Sequence, residues 1–328
     1  MTEITVTTNK VQNLVGSNLH VWGWEVPVYL FLGGLTAGIL VIVSYMILRS
    51  KGKNFAQTTG RLVFLAPIAL SIGMLALFLD LEHKLYVWRF YTTFKITSPM
   101  SWGSWVLLLV YPLSILAILG TFREGFPKIF ARIEGFIKSQ KILKKHINKF
   151  YLLFDFPKKH IKLVAKLTIP VGMLLGIYTG ILLSALSARP FWNSALMGPL
   201  FLVSGVSTAA ALVVLLSKEH SEKVFFTKVD IGLIFVELGI LFLFIIGMLS
   251  SSAQHQEAVK LILGGELTAF FWIIVVGLGL MLPAFLETME LRGKKVPAAI
   301  AAMLVLVGGV LLRFVIVEAG QISSWIKY

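Results

Sequence analysis

Eight stretches of about twenty apolar residues each constrain this chain more than anything else in its sequence. They occupy residues 26–48, 62–79, 100–122, 167–187, 195–216, 231–249, 267–286 and 298–317. Each is long enough to cross the ~30 Å hydrocarbon core of a bilayer as a helix. Inside lipid the backbone must satisfy its own N–H and C=O groups, so a helix is the form such segments take. The expected fold is therefore an all-α integral membrane protein with eight transmembrane helices. Only 14% of residues are charged and 57% are hydrophobic, whereas a soluble protein has about 25% charged residues. Pro67, Pro112, Pro170 and Pro283 fall inside these stretches, which membrane helices tolerate. The first 25 residues are polar, with no cleavable apolar core.

The formal net charge of +14 points to a membrane surface rather than to nucleic acid, because it is unevenly placed. The alternate loops 49–61, 123–166, 217–230 and 287–297 hold 22 of the 30 Lys and Arg residues. The opposite loops and both termini together hold 7. Basic loops stay on the cytoplasmic side, which puts both termini outside the cytoplasmic membrane. Segment 123–166 dominates this asymmetry, with 12 basic and 3 acidic residues. Within it Phe126, Ile129, Phe130, Ile133, Phe136 and Ile137 recur at helical spacing, with Lys128, Arg132 and Lys138 between them. Two readings stand: an amphipathic helix on the anionic inner leaflet, or a solvated basic loop.

Sliding the chain by 172 positions aligns the first stretch with the fifth, pairing Pro27 with Pro199, Gly33 with Gly205, Thr36 with Thr208 and Ala37 with Ala209. This predicts a parallel repeat of two four-helix bundles, residues 26–187 and 188–328, after an outer N-terminal segment 1–25. The basic insert 123–166 belongs to the first. Small residues also recur in any packed membrane helix, and Gly34-x-x-x-Gly38 reads as packing alone.

Ionisable residues inside a bilayer are costly and few. Glu237 lies in the sixth stretch and Arg313 in the eighth, while Glu25, Asp80 and Glu82 sit at outer ends. Glu237 reads equally as part of a proton path or as a carboxyl bonded to a neighbouring helix. Arg313, near the outer end of its stretch, either snorkels or pairs with an outer carboxylate such as Asp80. The chain has no cysteine, so it cannot supply thiolates to an iron–sulfur cluster or attach a c-type haem. All six histidines lie outside the eight stretches, leaving no axial pair for a b-type haem, and no metal site is expected. Trp22, Trp24, Tyr29, Trp88, Tyr91, Trp102, Trp105, Trp192 and Trp272 gather toward the outer ends. An interfacial aromatic belt and the wall of a quinone site both fit them.

Four motifs carry a family resemblance. WGWEVPVYLFLGG (residues 22–34), TSPMSWGSW (97–105), LSARPFWN (186–193) and LRFVIVEAGQ (312–321) occur in order from the first helix to the last. Together they resemble the NrfD/PsrC family, the membrane subunits of polysulfide reductase-like complexes. The resemblance implies a quinone-reactive membrane anchor that oxidises menaquinol or a similar quinol. It also implies an outer ferredoxin-like iron–sulfur subunit and a catalytic molybdopterin or multihaem cytochrome subunit.

In polysulfide reductase members a fourth-helix tyrosine and first-helix Asn and His contact the quinone. The tyrosine aligns with Tyr178, but Val26 and Tyr29 stand where Asn and His would, so Tyr29 and Glu25 replace them by position only. Trp22 and Arg189, inside matched motifs, complete the expected quinone contacts. Asp80 and Arg313 fall in the region tied to proton movement in the family. The expected assignment is Tyr178, Tyr29, Trp22 and Arg189 at the quinone, with Glu25, Asp80 and Arg313 handling protons. Two other classes fit the same helices: a proton- or ion-translocating transporter, and a purely structural anchor.

Overall fold

The computed structural model describes residues 22–49, 57–140, 145–186, 188–294 and 297–324. His20, Asn18 and most of the outer N-terminal segment lie outside the described residues. Among the described residues eight helices are long and apolar enough to span a membrane: Glu25–Arg49, Gly60–Asp80, Pro99–Gly125, Ile161–Ser184, Met197–Leu216, His220–Leu249, Phe270–Leu291 and Ala298–Ile322. The protein is a multi-pass, all-helical integral membrane protein. The seventh span begins with π turns over Phe270–Met281 and continues as an α-helix, Leu282–Leu291.

Several helices outrun their apolar stretches. The sixth begins at His220 instead of residue 231, and the eighth ends at Ile322 instead of residue 317. The sixth has 30 residues, or ~45 Å at 1.5 Å per residue, so its ends extend past the hydrocarbon where polar side chains cost little. Three expectations change as a result. His220 opens a helix instead of lying in a loop, Asp230 and Glu287 sit within spans, and Arg313 lies nine residues from its helix end.

The first span is the pivot of the packing. It contacts the second, fourth, fifth and eighth spans, and sixteen of its 25 residues are buried. Around it the second span packs on the third, and the third on the fourth. The fifth packs on the sixth and eighth, the sixth on the last helix of the seventh, and the seventh on the eighth. The first and fifth spans, the two that align in sequence, touch backbone to backbone. A Cβ on Gly38 would stand 2.7 Å from the Gly205 carbonyl carbon, and one on Gly205 would stand 2.7 Å from that of Gly34. Gly34-x-x-x-Gly38 is thus a packing motif that admits the neighbouring helix at Gly205.

Among its described residues the basic segment carries two helices before the fourth span, Pro127–Ser139 and Ile147–Lys159. Phe130, Phe150 and Phe154 pack together between them. Phe130 stacks on Phe150 at 5.5 Å and meets Phe154 edge-on at 5.3 Å, and Phe154 reaches Phe122 of the third span at 5.4 Å. Arg123–Asp155 (2.7 Å) and Lys158–Glu124 (2.8 Å) pin the second helix to the end of the third span. Ile129, Ile133 and Phe136 stay exposed on the other face.

Candidate functional site

At the end of the bundle that carries the termini, a cavity of about 550 Å³ opens between the first, second, third and fourth spans. Its walls are mostly apolar: Val26, Met74, Leu77, Phe78, Met100, Leu107 and Leu182. Polar groups enter from few directions, the pattern of a small-molecule site. Tyr29 comes from the first span, Tyr178 from the fourth, Asp80 from the end of the second, and His83, Arg89 and Tyr91 from the connection after it. That connection folds as a 3₁₀ turn, Lys84–Tyr86, and a short helix, Arg89–Thr92. It is clasped to the third span by Ser104, whose hydroxyl donates to the Phe90 carbonyl at 2.5 Å, and by Ser101, which donates to the Thr93 carbonyl at 3.1 Å. The Arg89 guanidinium lies over the Tyr86 ring at 4.5 Å. Burial pushes the Tyr91 phenol above its ordinary pKa, with Tyr111 nearby adding to the shift, so it stays a hydrogen-bond donor.

Tyr29 and Tyr178 are the centre of the cavity. Tyr29 is 1% exposed and Tyr178 8% exposed. Their phenols, with that of Tyr91, are near enough to interact electrostatically. Among the described residues neither hydroxyl makes a hydrogen bond, which leaves both open to the cavity. The Tyr178 ring rests directly on Gly103, where even a single Cβ would overlap the ring and its hydroxyl. Gly103 belongs to the matched TSPMSWGSW motif, and its role there is to admit that ring.

The expected site residues divide three ways. Trp22, Tyr29, Asp80 and Tyr178 line the cavity together. Glu25 does not line it but interacts electrostatically with Asp80. Arg189 sits elsewhere: its Nη1 donates to the Ser323 carbonyl at 2.8 Å, just past the end of the eighth span. It belongs to a clasp that ties the connection after the fourth span to the end of the eighth and to the start of the first. Trp22 stacks on Trp192 at 5.0 Å, its backbone N–H donates to Gln321 Oε1 and its carbonyl accepts from Gln321 Nε2, while the Trp192 indole donates to the Ile316 carbonyl at 2.8 Å.

Arg313 neither snorkels nor pairs with Asp80. It is fully buried in the second half of the chain. Its Nη1 donates to Ser204 Oγ at 2.6 Å and to the Gly309 carbonyl at 2.8 Å, and its Nη2 donates to the Phe201 carbonyl at 3.2 Å. Its charge partner is Glu237, which also meets Ser204. Farther toward the basic end, Ser207 donates to Asp230 at 2.5 Å, and Asp230 is near enough to Glu287 to interact with it electrostatically. Hydropathy alone placed Asp230 and Glu287 in loops. A signal was nevertheless available for one of them: Asp230 and Glu237, seven residues apart, are separated by two helical turns and share a helix face. The cavity residues His83, Arg89 and Tyr91 gave a weaker hint, an aromatic and basic cluster between two spans. No group of His, Asp and Glu among the described residues is arranged to hold a metal ion.

An eight-span membrane protein with a phenol-lined pocket at its terminal end is the class that fold and site define. The sequence matches the family described as polysulphide reductase, NrfD, over residues 12–324, and the protein belongs to that family. It is 31% identical to a polysulfide reductase chain of Wolinella succinogenes, over 93% of this sequence and 95% of that protein. It is 30% identical to the protein NrfD of Escherichia coli, over 92% and 96%. A selenate reductase subunit of Mesobacillus selenatarsenatis is 26% identical, over 92% of this sequence and 74% of that protein.

Proposed function

We propose that this protein is the quinone-reactive membrane subunit of a respiratory reductase complex, passing electrons between a membrane quinol and an iron–sulfur partner. The observation that carries the reading is the pair of buried phenols, Tyr29 and Tyr178, turned without protein partners toward an apolar-walled cavity. A flat ring with two oxygens suits such walls and such donors. The relatives whose names place them in polysulfide and selenate reductases support membership of a reductase complex. With no cysteine in the sequence, the thiolates of an iron–sulfur cluster come from a neighbouring subunit. In this reading that neighbour docks over the terminal end, beside the cavity, in the order quinol, cluster, catalytic subunit. The terminal end faces outward from the cytoplasmic membrane, and the helices form two four-helix bundles dividing near residue 187.

When bound, the quinol supplies two electrons and two protons. Tyr178 holds and orients one ring oxygen through its hydroxyl, kept in place by Gly103 beneath the ring. Tyr29 and the lipophilic wall exclude water from the ring faces. Asp80, with Glu25 close by, stands at the cavity mouth as the proton acceptor. Arg189 and Arg313 hold the helices instead of the ligand.

Tyr178→Phe removes one hydroxyl and keeps the ring. A neutral hydrogen bond is worth about 0.5–1.5 kcal/mol, so quinol-dependent turnover at low quinol should fall about 2- to 12-fold. Turnover of the complex from an artificial donor that bypasses the membrane should not change. Equal loss with both donors, or no loss with quinol, overturns the assignment. The buried row of Asp230, Glu237, Glu287 and Arg313 favours a second activity, ion or proton translocation through the second half of the chain. Proteoliposomes showing no proton movement coupled to quinol turnover would remove it.

A further inference from the structure

At the opposite, basic end of the bundle lies a second cavity, of about 470 Å³, lined by Arg61, Gly125, Phe126, Pro127, Lys128, Ile129 and Lys218. Its three cations come from three separate segments: the start of the second span, the first amphipathic helix and the connection after the fifth span. Among the described residues no carboxylate lines it. The backbone explains the convergence. Gly60 and Gly125 touch so closely that a Cβ on Gly60 would come 2.6 Å from the Gly125 Cα. This contact brings Arg61, the next residue, up to the turn at Phe126 where the third span ends and the Pro127–Ser139 helix begins. Ser217 accepts from the Glu219 N–H at 3.2 Å and donates to Glu222 at 2.6 Å, fixing the loop that presents Lys218.

Three of the flanking carboxylates have partners of their own. Glu124 pairs with Lys158, Asp155 with Arg123, and Glu222 with Ser217. Three positive charges, with no carboxylate among the described lining residues, suit an anion. The first turn of the 13-residue helix adds N–H groups that lack intrahelical acceptors.

A second observation concerns depth and neighbourhood. Gly60 opens the second span, Gly125 closes the third and Leu216 closes the fifth. The three cations therefore stand within two or three residues of span ends, at headgroup level. From the cavity rim an apolar stripe runs outward along the amphipathic helix. Ile129, which lines the cavity, is followed by Ile133 and Phe136 on the same face, and all three are exposed, Phe136 by 60%. The next helix adds exposed Leu152, Leu153 and Phe156. A phosphate in the cavity would place acyl chains along this stripe, whereas a free phosphate would leave the stripe without use.

We propose that this cavity is a binding site for the phosphate of an anionic glycerophospholipid from the leaflet at the basic end, with its acyl chains lying along Ile129, Ile133 and Phe136. The site orients the amphipathic helix pair on the membrane surface and is independent of the phenol-lined cavity at the other end.

The test is native mass spectrometry of the full-length protein in detergent, titrated with phosphatidylglycerol, phosphatidylcholine or inorganic phosphate. One phosphatidylglycerol should remain bound at concentrations where phosphatidylcholine occupancy is about tenfold lower. Each surface cation contributes appreciably to such binding, so the combined variant R61Q/K128Q/K218Q should weaken phosphatidylglycerol binding at least about tenfold. The variant K149Q/K159Q/K162Q, with the same loss of charge on the same side, should bind like wild type. Ile133→Ser/Phe136→Ser should weaken the lipid and leave any inorganic phosphate adduct unchanged. Size-exclusion profiles matching wild type confirm that each variant is folded. Equal phosphatidylglycerol occupancy in wild type and R61Q/K128Q/K218Q overturns the site. Displacement of the lipid by millimolar inorganic phosphate, with phosphate bound in its place, overturns the lipid as its occupant.

Discussion

Adding one methyl group at Gly103 tests the quinone site from outside the ligand contacts. In Gly103→Ala the new Cβ occupies space that the Tyr178 ring fills. Overpacking by a single carbon costs about 1–3 kcal/mol where neighbours cannot move. Here one neighbour can, because the ring borders a cavity of about 550 Å³ and can swing into it. The folded state relieves the strain at the expense of the space that quinol would occupy. The loss should therefore appear in quinol handling, not in stability. At about 1.4 kcal/mol per decade, quinol-dependent turnover at low quinol should fall roughly 5- to 150-fold. The unfolding temperature of the detergent-purified protein should move by less than about 2 °C, since a full 1 kcal/mol shifts a protein of this order by ~2–4 °C. The assay pairs turnover of the complex from a water-soluble quinol with turnover from an artificial donor, alongside a thermal scan. Unchanged quinol turnover would refute the role given to the Tyr178 ring. A large drop in unfolding temperature with proportional loss from both donors would show that the ring is held rigidly and that Gly103 serves packing alone.

Two further outcomes separate the arginines from the quinone site. Arg313→Ala strands Ser204 and the Gly309 and Phe201 carbonyls in the interior, and each hydrogen bond to a charged group that is lost costs about 1.5–3 kcal/mol. Thermal scans should show a drop of several degrees or loss of monodisperse protein, and an unaltered transition would contradict its role as an interhelical clamp. Arg189→Ala removes one charge-assisted bond to the Ser323 carbonyl, worth about 1.5–3 kcal/mol at most. The apparent Michaelis constant for quinol should stay within about twofold of wild type, and a rise beyond tenfold would return Arg189 to the ligand site.

The fold was legible because lipid imposes one rule on the backbone, and apolar stretches of span length follow from it directly. Their ends were less so, since a helix continues past the hydrocarbon into water, where composition no longer marks it. That is why Asp230 and Glu287 read as loop residues, and why Arg313 read as near enough to the surface to reach Asp80. The structure extends its helix by five residues and seats it against Ser204 and Glu237 instead. In the cavity, Tyr178, Tyr29 and Trp22 could be found because they lie on or next to the matched motifs, and Asp80 because it is the charged residue that ends the second apolar stretch. His83, Arg89 and Tyr91 could not, because their placement depends on how a connection folds back onto Ser101 and Ser104. Phe126 and Phe130 show the limit of periodicity. It revealed a helical face, but Phe126 packs on Phe64 of the second span and Phe130 on Phe150 and Phe154 of a second helix, while Ile129, Ile133 and Phe136 stay exposed.

The most direct test of the central claim is photolabelling of the membrane-embedded complex with an azido-substituted quinone, followed by peptide mass spectrometry. Crosslinks should be confined to the cavity wall, in residues 74–107 and at Tyr29, Tyr178 and Leu182, competed away by unlabelled quinone and reduced by Gly103→Ala. Competable labelling confined to the second half of the chain, or no competable labelling at all, would contradict it.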